Sequence, residues 1–130
     1  YVTPPAPRQV ILYAGDNDLA CGATPAQVLD SYRYFVETVQ AALPSVQIVF
    51  LSIKPSPARR HLMPEIREAN RLVREDARQG KQPGFLDLFT AMLNDEGEPR
   101  PELFIEDGLH PSHRCYLLWA EMIRPLLMPR

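Results

Sequence analysis

Histidine and cysteine are scarce in this chain, with 3 and 2 copies among 130 residues. No apolar run reaches the roughly 18 residues of a membrane-spanning helix, so none is expected. The net charge is −2 with both signs interspersed, which leaves no basic face for nucleic acid or an anionic membrane. Cys21 and Cys115 are too few for a disulfide framework and read as reduced thiols. Bridging them would require Cα atoms within about 7 Å. The chain opens Tyr-Val-Thr-Pro-Pro-Ala-Pro, with neither a basic segment nor an apolar one behind it. No targeting signal is therefore expected, and no compartment follows. An opening without Met suggests a processed or truncated product. Also lacking is a serine in the Gly-rich elbow that presents a hydrolase nucleophile.

Proline, by contrast, is abundant. The 14 prolines are about double the usual share of ~5%. They gather at the start, at 55–64 and at 99–111, where they mark loops. Hydrophobic and charged contents of 45% and 23% are those of an ordinary globular chain, long enough for one domain. Residues 1–130 are read as part of a single domain, with 1–8 a proline-rich lead-in.

Gln9–Ala14 is a short apolar, β-branched run ending at Gly15 and predicts a buried strand. Thr24-Pro25-Ala26-Gln27 has a helix cap, a proline at the first helical position and a glutamine to close a capping box. Val28, Tyr32, Phe35, Val36 and Val39 follow at helical spacing until Pro44 stops the helix at Leu43. Val46–Ile53 predicts a second buried strand, followed by a loop from Lys54 to Met63. Pro64 opens a second helix with Ile66, Ala69, Leu72 and Val73 as its stripe and Gly80 as its stop. Phe85–Leu88 predicts a third strand, with a helical turn near Thr90–Leu93. Ser112 can cap a last helix carrying Leu117, Leu118, Met122 and Ile123, ended by Pro125. Strands alternating with helices, in apolar runs that do not themselves alternate, predict an α/β fold with a parallel sheet covered on both faces. Ligands of such sheets bind beyond the carboxyl ends of the strands. Those ends carry Gly15–Asp18, the Ser52–Arg60 loop and the approach to Asp107, all expected on one rim.

Asp107-Gly108-Leu109-His110 sets a carboxylate three residues before an imidazole. The aspartate can accept a hydrogen bond from one ring nitrogen, leaving the other free as a base. Out of context, a histidine in a loop is usually solvated and idle. His113 lacks such a partner and reads as the exposed start of the last helix; His61 reads as solvated. Asn17, beyond a strand at a Gly turn, has two readings: an oxyanion donor aimed into a cleft, or a simple turn former. Asp16 and Asp18 are read as turn or helix-start residues, one of which could bond backbone N–H groups to hold the turn.

Tyr13-Ala-Gly-Asp-Asn-Asp18 resembles the Gly-x-Asn-Asp block of the SGNH (GDSL-type) hydrolases, and Asp107-Gly-Leu-His110 resembles their Asp-x-x-His block. Either tetrapeptide alone is weak; both, in this order and at these positions, are specific. The resemblance covers nearly the whole chain. It implies a three-layer, flavodoxin-like sheet, here three strands of a parent five, and hydrolysis of acetyl, lipid or carbohydrate esters without a cofactor or metal. It further implies that Asn17 is an oxyanion-hole donor, Gly15 the turn presenting it, His110 the general base and Asp107 its orienting partner. The family's Gly-Asp-Ser block and its second glycine block have no counterpart here. Ser31, Ser45, Ser52, Ser56 and Ser112 stand in other settings. The chain therefore reads as the C-terminal part of such a domain, with its nucleophile elsewhere and the fragment alone inactive. In the family's strand order, the strand ending at Ala14 loses its neighbour. Its bared edge predicts self-association, or pairing with the rest of the domain. Two alternatives remain: a non-catalytic interaction module on a hydrolase fold, and a metal-dependent phosphoesterase with Asp16, Asn17, Asp107 and His110 as ligands.

Overall fold

The computed structural model describes residues 9–79 and 84–126. The lead-in 1–8 and the stop at Gly80 lie outside the described residues. The chain runs β1 (Gln9–Leu12), α1 (Asp16–Ala20), α2 (Pro25–Ala42), β2 (Gln47–Leu51), α3 (Met63–Gln79), β3 (Gly84–Leu86), α4 (Leu88–Ala91) and α5 (His113–Ile123). Turns of 3-10 helix occupy Pro57–Leu62, Pro101–Leu103 and Arg124–Leu126. The three strands form one parallel sheet in the order β1-β2-β3. This is the expected α/β fold.

Local sequence explains the helix boundaries. Thr24 Oγ1 accepts the Gln27 N–H at 3.1 Å and Gln27 Oε1 accepts the Thr24 N–H at 2.8 Å, completing the capping box of α2. Ser112 Oγ accepts the Cys115 N–H at 3.3 Å and so caps α5. Helix α1 was not expected from the turn-rich sequence. It begins because Gly15, at φ 108°, turns the chain from β1 directly into a helical turn. A Cβ there would lie 2.9 Å from Ile53 Cδ1 and 3.1 Å from Val28 Cγ1, both in packed core, so glycine is required twice over.

Helices α2 and α3 pack on each other and on the sheet. Val28 and Tyr32 from α2 meet Ile66, Ala69 and Val73 from α3 around Phe50 of β2. Below α5 a second cluster joins Met92, Leu103, Phe104 and Cys115, with Leu118 and Trp119 partly buried against it. Beyond β2 the chain is held by side chains. Asn70 Oδ1 accepts the Ile53 N–H at 2.8 Å, and its Nδ2 donates to the Ile53 carbonyl at 3.0 Å. Ser52 Oγ accepts the Phe89 N–H at 2.8 Å. These bonds satisfy buried backbone groups where ladder pairing has ended, and they fix where Lys54 emerges.

Strand β1 departs from the fully buried strand that its composition predicts. Among the described residues it pairs only with β2, which makes it an edge there, and Ile11 is 37% exposed. Beside it lies an apolar hollow of about 150 Å³ lined by Leu12, Tyr32, Phe35 and Phe50 among others. Helix α5 is similarly open, with Tyr116 and Leu117 more than half exposed.

Candidate active site

The Asp107–His110 loop is organised by its own aspartate. Asp107 Oδ1 accepts the backbone N–H groups of Leu109 and His110 at 2.9 and 3.0 Å. Its Oδ2 lies 2.5 Å from His110 Nδ1. A carboxylate only accepts, so Nδ1 carries the proton, and in the neutral ring the lone pair is left on Nε2. Gly108 makes the turn at φ 68°. Asp107 is not buried, as a triad aspartate usually is; its side chain is 42% exposed, and hydrogen bonds rather than enclosure hold the imidazole. The His110 hydrogen bond, followed by the two backbone N–H bonds, lowers the Asp107 carboxyl to about 2. A carboxyl lowered on folding loses its stabilising partners only as pH falls from its ordinary value through about 2. The ring should therefore stay oriented at any pH well above that value. An acid-side NMR titration should show the Asp107 carboxyl carbon shift unchanged until pH approaches about 2.

His110 and Asn17 line one cleft of about 290 Å³ whose walls also include Asp16, Lys54, Arg59 and the aromatic residues Tyr13, Tyr116 and Trp119. The rim expected from the strand ends is thus a single place. Asp16 is not a turn holder bonded to backbone N–H groups: both its oxygens go to side-chain cations. Its Oδ2 accepts from Lys54 Nζ at 2.5 Å and its Oδ1 from Arg59 Nη1 at 2.7 Å. The side chains of Asp16 and Lys54 are only 10% and 6% exposed, so the pair sits largely out of water. Arg59 extends a second arm, Nη2, to Asn17 Oδ1 at 3.2 Å. Asn17 itself is exposed to the cleft. Gly15 lies behind it, in the turn rather than in the cleft wall.

Tyr13 and Trp119 meet with ring centroids 5.7 Å apart, closing one side of the cleft. The Tyr13 hydroxyl accepts weakly from the Lys54 N–H at 3.5 Å. Burial, then the charge of Asp16, raises its ionisation well above the usual tyrosine range, so it stays a neutral phenol.

The serines are committed elsewhere. Ser31 and Ser45 are exposed, with Ser31 on α2. Ser52 binds the Phe89 N–H, Ser56 is fully buried, and Ser112 also donates to the Glu102 carbonyl at 2.8 Å. None lines the His110 cleft. The cysteines are free; Cys21 lies in a separate depression with Asp18 and Gln27, and Cys115 is buried on the inner face of α5. Burial pushes the Cys115 thiol up to about 11, which makes it a poor nucleophile. His61 and His113 are exposed. Among the described residues, no group of three or more His, Cys, Asp or Glu is placed to hold a metal ion. Both oxygens of Asp16 are already taken by cations, which opposes the metal-ligand reading of that residue.

The residues least legible beforehand are Lys54 and Arg59. A lysine placed between buried Ile53 and Pro55 carries one usable signal, since a charge in apolar surroundings needs a partner. Nothing local identified Asp16 as that partner.

The family model for GDSL-like lipases and acylhydrolases matches residues 2–118. The chain belongs to this family. Among curated proteins no sequence matches. Solved structures similar to it include one from Streptococcus pneumonia described as a candidate platelet activating factor, at a TM-score of 0.83 and 22% identity. That match covers 92% of this chain and 59% of the other. A carbohydrate esterase family 3 structure from Talaromyces cellulolyticus has a TM-score of 0.78 and 21% identity, covering 92% and 56% of the two chains. A GDSL-like lipase from Bacteroides thetaiotaomicron VPI-5482 gives 0.74 and 22%, covering 92% and 62%. At these identities the likeness is one of fold. The chain spans 59%, 56% and 62% of the lengths of those structures.

Proposed function

We propose that this GDSL-type chain supplies the base and one oxyanion donor of a serine ester-hydrolase site whose nucleophile lies outside these 130 residues. The observation that carries the reading is the Asp107–His110 hydrogen bond, with His110 and Asn17 lining one cleft. In that role Asp107 fixes the imidazole tautomer, and His110 takes the proton of an attacking serine hydroxyl. It then returns the proton to the leaving alcohol. The Asn17 Nδ2 amide donates to the tetrahedral oxyanion. The substrate is a small ester of the acetyl, acyl, lipid or carbohydrate type, with no cofactor or metal taking part. The similar structures include a carbohydrate esterase and a GDSL-like lipase, and the aromatic wall of Tyr13, Tyr116 and Trp119 suits an apolar or sugar-ring portion of such a substrate.

A short p-nitrophenyl ester tests the reading. A longer form containing a Gly-Asp-Ser segment should hydrolyse it, and the 130-residue chain should not. Inactivity of the longer form would instead favour a non-catalytic module.

The edge that β1 presents among the described residues, with its apolar hollow, is the partner surface of the isolated chain. It should self-associate or hold a complementary segment of the domain. Size-exclusion chromatography at micromolar concentration should report a species larger than 14.8 kDa; a compact monomer would refute this.

A further inference from the structure

The Pro57–Leu62 segment touches both halves of the proposed site. Its Ala58 N–H donates to the Gly108 carbonyl at 3.0 Å, inside the Asp107–His110 loop. The next residue, Arg59, reaches in the opposite sense to α1, with Nη1 on Asp16 and Nη2 on Asn17. A Cβ on Gly108 would lie 3.4 Å from Pro57 Cβ and 3.5 Å from the Ala58 nitrogen, so the two loops are in close contact. Behind Arg59, Lys54 holds the second oxygen of Asp16. This arrangement is distinct from the Asp107–His110 and Asn17 roles that the family resemblance implies.

We propose that Arg59 is a positioning residue for Asn17, anchored by the buried Asp16–Lys54 pair, which sets the direction in which the Asn17 amide donates. The proposal rests on the oxyanion-donor reading above for its catalytic consequence, but not for its geometry. A guanidinium has only donors, so Asn17 must turn its oxygen toward Arg59. Its NH2 group is then turned away from Arg59, on a residue that lines the same cleft as His110. An exposed asparagine without that partner samples several rotamers and both amide flips. Holding one of them in advance removes reorganisation from the reacting state. Asp16 makes the clamp rigid: Lys54 fixes one oxygen, so the other presents a stationary acceptor to Nη1. The proline-punctuated loop thus carries a specific task in the site and is not just a basic surface. Because Ala58 bonds Gly108, the same short segment also keeps the donor and base loops at a constant separation.

The test uses R59M and R59K, in both of which Asp16 keeps Lys54 as its partner, so folding should survive. Three-bond couplings to Asn17 Cγ, measured by NMR on the 130-residue chain, should report one χ1 rotamer in the parent. In R59M and R59K they should report averaging. R59K retains the charge but offers a single ammonium in place of the two-armed fork, so charge alone should not restore order. In the serine-containing form, R59M should lower kcat on a p-nitrophenyl ester by roughly 10- to 100-fold with KM little changed. In an N17A background the same substitution should have almost no further effect, because the group it positions is gone. An Asn17 rotamer unchanged in R59M would overturn the proposal, as would a full additional loss of kcat on top of N17A. If no form hydrolyses the ester, the esterase reading falls while the coupling measurement still decides the positioning role.

Discussion

Replacing Asp16 by alanine should destabilise the fold by about 3–5 kcal/mol, the usual cost of removing one partner from a buried ion pair. The residue is 8% exposed and answers two cations, of which Lys54 is the more deeply enclosed at 5%. Without the carboxylate, the buried Lys54 ammonium loses its counter-charge, and Arg59 is left beside it as a like charge. The backbone there cannot simply relax outward, because both polar groups of Ile53 are fastened to Asn70. The magnitude comes from the stranded charge rather than from the lost bonds, and a second variant separates the two. In D16A/K54M most of the loss should be recovered, since the double substitution removes both buried charges and leaves Arg59 free to turn toward solvent. Urea denaturation followed by circular dichroism measures both. If D16A costs less than about 1 kcal/mol, the level of an exposed pair, the cluster is better solvated than its burial indicates.

Replacing His110 by alanine should lower kcat for ester hydrolysis about 10²- to 10⁴-fold in the serine-containing form, the range that a positioned general base supplies. The side chain is 69% exposed and packs little, so the variant should keep the parent's stability, and the loss will read as chemistry. Asp107→Asn is the sharper companion. An amide in place of Oδ2 can present an NH2 to Nδ1, which favours the tautomer with its proton on Nε2 and so blocks the base. A loss on the order of 10⁴ is the ceiling for a wrong-tautomer defect. It should sit nearer the lower end here, because the exposed imidazole can turn. Steady-state kinetics on both variants decide the matter: kcat within a few-fold of the parent in H110A would remove His110 from the mechanism.

Much of the fold was legible because its signals are local. The capping box at Thr24 and Gln27, the Ser112 cap and the glycine turn at Gly15 are each made by a few consecutive residues. The same holds for Asp107–His110, where the hydrogen bonds that Asp107 itself accepts span at most three residues. Strand ends were less legible. Gln9–Ala14 and Val46–Ile53 stop being ladder at Leu12 and Leu51, since pairing depends on the neighbouring strand and not on apolar content.

What the sequence by itself determined is the order of strands and helices, their caps, the orientation of His110 by Asp107, and the GDSL-type motifs. Tertiary structure decided which strand became an edge, where Asp16 found its cations and which way Asn17 turned. Arg59 lies 43 residues from Asp16 and 42 from Asn17, with α2, β2 and the turn beyond it in between. Charge pairs at that separation follow from how the parallel crossovers stack the strand ends on one rim. No spacing rule along the chain encodes them.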